Sequence, residues 1–148
     1  MTHDALLNPR SIAVYGASPS ASSPGAHIFR NLIGQGFDGK VTPINPKYGD
    51  VSSRVCFPSQ TVAGTSADLA VIAIPTGSVA TALQDCASVG TASAVVITAG
   101  FDGGDGPSSV SRLIKTAEEG GMTIMGPNCL GLIRPHLRLN ATFQPTLP

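Results

Sequence analysis

Gly16-Ala17-Ser18 follows the apolar run Ser11-Ile12-Ala13-Val14-Tyr15 without a break. A glycine there lets a phosphate approach the main chain, and a hydroxyl two residues on can bond to it. Behind this turn, residues 25–37 read as helical. The first turn of a helix directs unpaired N–H groups at an anion. A second apolar run ends at Asn45-Pro46-Lys47 with a single cation, and others end at Ile74-Pro75, Thr98-Ala99-Gly100 and Gly126-Pro127-Asn128-Cys129. The chemistry on offer is the binding and orientation of a phosphorylated, nucleotide-like ligand.

The elements between these segments must bring them together. Continuous apolar runs predict buried parallel strands at 11–15, 40–44, 68–74, 93–98 and 122–125. Helical spacing predicts helices at 25–35, with Ile28, Phe29, Leu32 and Ile33 on one face, at 77–89, and from Pro107 to 119. Gly36 suits the C-cap of the first helix, and Pro107 suits the first turn of the last. Residues 4–10 read as a lead-in whose Leu6 and Leu7 pack on the sheet edge. Residues 48–67 are the least regular, with a short strand around Val55 and a helical turn after Ser59. A last short strand falls within 137–143. Strands alternating with helices give a single α/β domain, a Rossmann-like doubly wound parallel sheet with helices on both faces. Ligands of such sheets sit beyond the carboxyl ends of the strands, where all of the segments above fall on one rim.

Bulk properties exclude several classes. Nine basic and nine acidic residues among 148 cancel, which argues against a nucleic-acid or acidic-membrane partner. No apolar run approaches the ~20 residues that span a bilayer, and residues 1–10 lack a signal core. Cys56, Cys86 and Cys129 are widely spaced and odd in number, with neither a metal pattern nor a disulfide set. A reducing cytoplasm is the expected compartment.

The dinucleotide fingerprint G-x-G-x-x-G is missing, since Gly16 is followed by Ala17, Ser18 and Pro19 and the next glycine is Gly25. The second strand ends in Asn45-Pro46-Lys47 where an NAD site places an acidic residue on the ribose. A lysine there favours a phosphate near the ribose, as NADP carries at 2′ and coenzyme A at 3′. Residue chemistry leaves these two open.

Five motifs in order carry a resemblance: Asn8-Pro9-Arg10-Ser11-Ile12-Ala13-Val14-Tyr15-Gly16-Ala17-Ser18, Pro43-Ile44-Asn45-Pro46-Lys47-Tyr48, Asp68-Leu69-Ala70-Val71-Ile72-Ala73-Ile74-Pro75, Ala94-Val95-Val96-Ile97-Thr98-Ala99-Gly100-Phe101 and Gly126-Pro127-Asn128-Cys129-Leu130-Gly131. Together they resemble the N-terminal CoA-binding domain of nucleoside-diphosphate-forming acyl-CoA synthetases, relatives of the succinyl-CoA synthetase α subunit. Related domains occur in some acyl-CoA-linked protein acetyltransferases. The likeness runs through Asn140-Ala141-Thr142-Phe143.

The resemblance implies coenzyme A or acyl-CoA as ligand, with contacts that carry over residue by residue. Gly16, Ala17, Ser18, Pro19 and Ser20 would hold phosphates through backbone N–H groups and the Ser18 hydroxyl. Lys47, beside Asn45 and Pro46, would meet a phosphate of the adenosine end. Ala73, Ile74 and Pro75 would form an apolar wall, and Ile97, Thr98 and Ala99 would meet pantetheine through the main chain. Residues 126–131, Asn128 and Cys129 among them, would lie near the thiol end. The family reaction passes through a phosphohistidine on a flavodoxin-like domain, with phosphate supplied by an ATP-grasp module. His3, His27 and His136 match no part of that histidine motif. The chain is therefore expected to be a CoA-docking part, an excised domain or a truncated homologue, inactive alone as a ligase. The alternatives are a stand-alone CoA-binding regulator and an NADP-binding oxidoreductase domain.

Several of these residues have plainer roles to weigh. Ser18 could cap the helix, and Lys47 could be a solvated charge. Cys129 is expected to be a structural thiol rather than a nucleophile. Asn128 is expected to fix its own loop with its side chain, and His27 to be exposed. Asp102 and Asp105 lack calcium-loop spacing and suit a solvated loop.

Overall fold

The computed structural model describes residues 2–142 and 144. Five parallel strands form the central sheet: β1 (Ser11–Tyr15), β2 (Lys40–Ile44), β5 (Leu69–Ile72), β6 (Ser93–Val96) and β7 (Thr123–Met125), in the spatial order β2-β1-β5-β6-β7. Pro43 interrupts no ladder it would have to serve, because β2 is an edge strand. Strand order reverses beside β1. The carboxyl ends of β1 and β5 therefore flank the crevice where such sheets take ligands.

Alternation along the strands separates two cores. Ile12, Val14, Leu69, Val71 and Val95 face one side, with α2 (Pro24–Gly34) burying Ile28, Phe29 and Leu32 against them. Ala13, Tyr15, Ala70, Ile72, Ala94 and Val96 face the other, against Leu83 and Cys86 of α4 (Val79–Ser88) and Leu113 of α5 (Val110–Glu119). Ala13, Ala70 and Ala94 sit side by side in register. This row of small side chains gives the second helix layer room to close on the sheet at interior density.

The expected strands at 68–74 and 93–98 are shorter as regular strands, although Ala73 N–H still donates to Tyr15 (3.0 Å) and Ile97 N–H to Ile72 (2.9 Å). The expected helix at 77–89 opens as a 3₁₀ turn, Thr76–Ser78, before α4. Pro107 does not start α5. Ser109 takes the N-cap, its Oγ accepting from Arg112 N–H at 3.1 Å, and Pro107 stays in the preceding turn. A side-chain acceptor two residues on outweighs the φ preference of the proline.

The lead-in is a helix, α1 (Thr2–Leu7), with Leu6 buried and Leu7 exposed. Residues 48–67 contain the small hairpin β3 (Asp50–Val51) and β4 (Arg54–Val55), then α3 (Gln60–Ala63) capped by Ser59. The last expected strand is β9 (Leu139–Thr142); Phe143 lies outside the described residues. This strand pairs antiparallel with β8 (Gly131–Arg134), a strand the apolar pattern does not predict. The hairpin packs on α2, where Asn31 Nδ2 donates to the Thr142 carbonyl at 2.8 Å. No helix among the described residues is long and apolar enough to cross a membrane.

Candidate functional site

The turn after β1 is built by contact between main chains. Gly16 has φ +101°, and a Cβ there would overlap the carbonyl of Ala73. A Cβ on Gly25, in the first turn of α2, would overlap the carbonyl of Gly16. Only glycines let these three segments meet. Ser23 caps α2, its Oγ accepting from Ala26 N–H at 3.3 Å, so the cap is not Ser18. Ser18 Oγ instead lies 3.0 Å from Ser23 Oγ and accepts from Ser20 N–H at 3.2 Å. The Arg30 guanidinium donates to the carbonyls of Ser20 (2.7 Å) and Ala21 (3.3 Å), which fixes the serine loop from behind.

This arrangement narrows which amides can meet an anion. Gly16 N–H already donates to Ile44 at 3.0 Å, Ser20 N–H serves Ser18, and Pro19 has none. The N–H groups of Ala17 and Ser18 have no hydrogen-bond partner among the described residues. The Ala17 side chain is fully buried and Pro19 is exposed, so neither side chain lines a cleft.

Asn45 joins the second strand end to this turn. Its Nδ2 donates to the Ala17 carbonyl at 2.9 Å, and its Oδ1 accepts from Lys47 N–H at 2.9 Å. Lys47 is exposed, with no carboxylate partner among the described residues. Further along the rim, Thr98 Oγ1 donates to the Ile74 carbonyl at 2.7 Å and accepts from Ile74 N–H at 3.2 Å. The ends of β5 and β6 are thereby locked together.

Two adjoining clefts result. The larger, about 660 Å³, is lined by Gly16, Ser18, Ser20, Asn45, Pro46 and Lys47, together with Tyr15, Tyr48 and Asp85. The smaller, about 520 Å³, is lined by Ile97, Thr98, Ala99, Asn128 and Cys129, with Leu130 at its mouth. Ala73, Ile74 and Pro75 line both and form the ridge between them. No charged side chain among the described residues lines the smaller cleft. Among the described residues, no histidine lines either cleft. Cys129 is half-buried with Sγ 3.3 Å from the Val96 carbonyl, as a structural thiol would be. Asn128 anchors its loop through its backbone, N–H to Thr98 carbonyl at 3.0 Å with φ +54°, rather than through its side chain. His27 is half-buried beside Arg30, not exposed.

One part of the larger cleft escaped the sequence. Asp85 of α4 accepts from Tyr15 Oη (2.5 Å), Gln60 N–H (2.8 Å), Thr61 N–H (3.2 Å) and Thr61 Oγ1 (2.6 Å). Burial pushes the Asp85 carboxyl up, but the bonds from Thr61, Tyr15 and Gln60 outweigh it and hold the group below the usual carboxylate range. Gln60, fully buried, donates to Tyr15 Oη at 3.1 Å and accepts from Ala67 N–H at 2.9 Å and Thr91 Oγ1 at 3.2 Å. Burial raises the Tyr15 hydroxyl far above its ordinary value and pushes the Cys86 thiol up to about 12. A tyrosine ending an otherwise aliphatic strand was the one visible signal. Its partners lie 45 to 71 residues away in the chain.

Comparison with known proteins agrees with this geometry. Residues 10–135 match the family model described as CoA binding domain. The chain is 38% identical over 145 residues to Acetate--CoA ligase [ADP-forming] I of Archaeoglobus fulgidus, covering 97% of this chain and 21% of that protein. It is 39% identical over 143 residues to the Acetate--CoA ligase [ADP-forming] II subunit alpha of Pyrococcus furiosus, covering 95% and 31% respectively. The fold superposes with a TM-score of 0.88 and 40% identity on the dinucleotide-forming acetyl-coenzyme A synthetase 1 of Ca. Korarchaeum cryptofilum, covering 97% of this chain and 31% of that one. The chain thus spans roughly a fifth to a third of the length of the relatives it matches. A Rossmann-like sheet, a glycine-built turn at the end of β1 and a match over most of the sequence place the chain in the CoA-binding domain family, with coenzyme A as its ligand.

Proposed function

We propose that this chain docks coenzyme A for an NDP-forming acyl-CoA synthetase, holding the nucleotide half in the larger cleft and the thiol end in the smaller one. The supporting observation is the pair of clefts that meet at the Ala73-Ile74-Pro75 ridge. An elongated ligand with an anionic end and a neutral, flexible arm matches a cleft with an exposed lysine that adjoins one with no charged side chain among the described residues. Ser18, whose N–H has no partner among the described residues, offers an amide to phosphate, and Lys47 offers a cation to a phosphate of the adenosine end. Ile97, Thr98 and Ala99 present main chain to the arm. Coenzyme A supplies a thiol nucleophile, and the contribution of the protein is to fix its position, the proximity component of catalysis.

Partner domains of the same enzyme, a His-containing flavodoxin-like domain and an ATP-grasp module, would bring the acyl group and the phosphoryl chemistry. The NADP reading has less support, because the G-x-G-x-x-G fingerprint is missing after β1 and residues 10–135 match the CoA binding domain family.

Thermal unfolding with CoA, acetyl-CoA, NAD and NADP tests the reading. A ligand at 100 times its Kd adds about 2.7 kcal/mol, a rise of about 5 to 10 °C for a domain of this size. That rise is expected with CoA and acetyl-CoA. A rise with NADP alone would overturn the proposal.

A further inference from the structure

Lys47 and Asp85 are the charged side chains lining the larger cleft. Lys47 is unpaired and exposed, whereas both oxygens of Asp85 are saturated by hydrogen bonds from within the protein. A carboxylate with every lone pair engaged cannot accept from a ligand. Its donors nevertheless come from two separate walls of the cleft. Tyr15 is the last residue of β1 and leads directly into Gly16. Gln60 and Thr61 open α3, directly after Pro58 and Ser59, which line the cleft. Asp85 itself stands on α4, the third wall, one turn beyond Thr81 and Ala82 of the same lining. Gln60 closes the network from inside by donating to Tyr15 Oη.

We propose that Asp85 is a positioning residue for the nucleotide half of the ligand: it fixes the Gly16 turn, the Pro58-Ser59 segment and α4 relative to one another. This rests on the coenzyme A reading given above. Asp85→Asn keeps the shape but turns an N–H₂ group towards at least one donor, so the walls must separate. Bonds to a charged acceptor are the stronger class, and the smaller cleft contains none of the network residues.

The test is the affinity of the whole chain for CoA and for adenosine 3′,5′-bisphosphate, well below the melting temperature. Tyrosine emission follows binding, because the chain has two tyrosines and no tryptophan, and both Tyr15 and Tyr48 line this cleft. Asp85→Asn should weaken both ligands by the same factor, about tenfold. Thr61→Val, which removes one donor and no charge, should weaken both by about threefold and carries the test if Asp85→Asn does not fold. Unchanged affinities in a variant that merely melts earlier would overturn the proposal and leave the coenzyme A reading intact. Loss of CoA binding with the bisphosphate unaffected would overturn it as well. Failure of the unsubstituted chain to bind either ligand would overturn both.

Discussion

Asn45 Nδ2 donates to the carbonyl oxygen of Ala17 at 2.9 Å, so the end of β2 holds the turn that follows β1. The same side chain accepts from Lys47 N–H at 2.9 Å. One side-chain amide thus sets both the Ala17-Ser18 turn and the backbone that carries Lys47. Asn45→Asp would put an acceptor against the Ala17 carbonyl. It should cost about 1–2 kcal/mol in urea unfolding and weaken CoA binding, while Asn45→Ala should cost less stability because no like pair is created. Equal stability for the two variants would show that the contact does not hold the turn.

Lys47 lies on the surface with no acidic partner among the described residues, so its removal should leave folding unchanged. Lys47→Ala should weaken CoA by about five-fold at low salt, with the difference shrinking as salt rises. Dephospho-CoA, which lacks the 3′-phosphate, should bind the variant and the parent alike. A parallel loss for both ligands would move the lysine to another part of the coenzyme.

Gly25 and Gly34 sit at the two ends of α2 and separate packing from propensity. A Cβ on Gly25 meets the Gly16 carbonyl, whereas one on Gly34 meets nothing within 4 Å. Gly25→Ala should destabilise by about 1–3 kcal/mol, as overpacking does, and displace the turn enough to lose CoA. Gly34→Ala should stabilise by up to about 1 kcal/mol. Chemical denaturation of the pair checks both signs.

Asp85 gives stability a defined acid limb. Its carboxyl is held below the usual range in the folded chain. The stability this brings is therefore present above the unfolded value of about 3.9 and is lost as pH falls through the lower folded value. The difference in unfolding free energy between the parent and Asp85→Asn should be flat from pH 8 to 5 and shrink below about pH 4. Tyr15 and Cys86 act in the opposite direction. Their protonated forms are favoured in the fold, so stability should fall as pH rises above about 9, where the unfolded thiol ionises.

Most of the rim was legible because each segment is local. Gly16, Asn45, Lys47, Pro75 and Asn128 end apolar runs, and parallel topology brings the ends of such runs to one edge. The boundaries that moved did so where a side chain competed with a propensity, as Ser109 did with Pro107. Which amides at 16–20 are already paired was not legible, since that depends on Ile44 and Ser18 accepting from Gly16 and Ser20. The Tyr15–Asp85–Gln60 network was hidden for the same reason: it links β1, α3 and α4 through side chains far apart in the chain. The β8–β9 hairpin was half seen, because Gly131-Leu132-Ile133-Arg134 is too short a run to separate from a loop.

The most direct test of coenzyme A lying across both clefts is amide chemical-shift mapping of the ¹⁵N-labelled chain with CoA and, separately, adenosine 3′,5′-bisphosphate. The bisphosphate should shift Ala17, Ser18 and Lys47 and leave Ile97, Thr98, Ala99 and Cys129 in place, whereas CoA should shift both sets. Perturbations by CoA confined to one cleft, or centred away from the Ala73-Ile74-Pro75 ridge, would contradict the account.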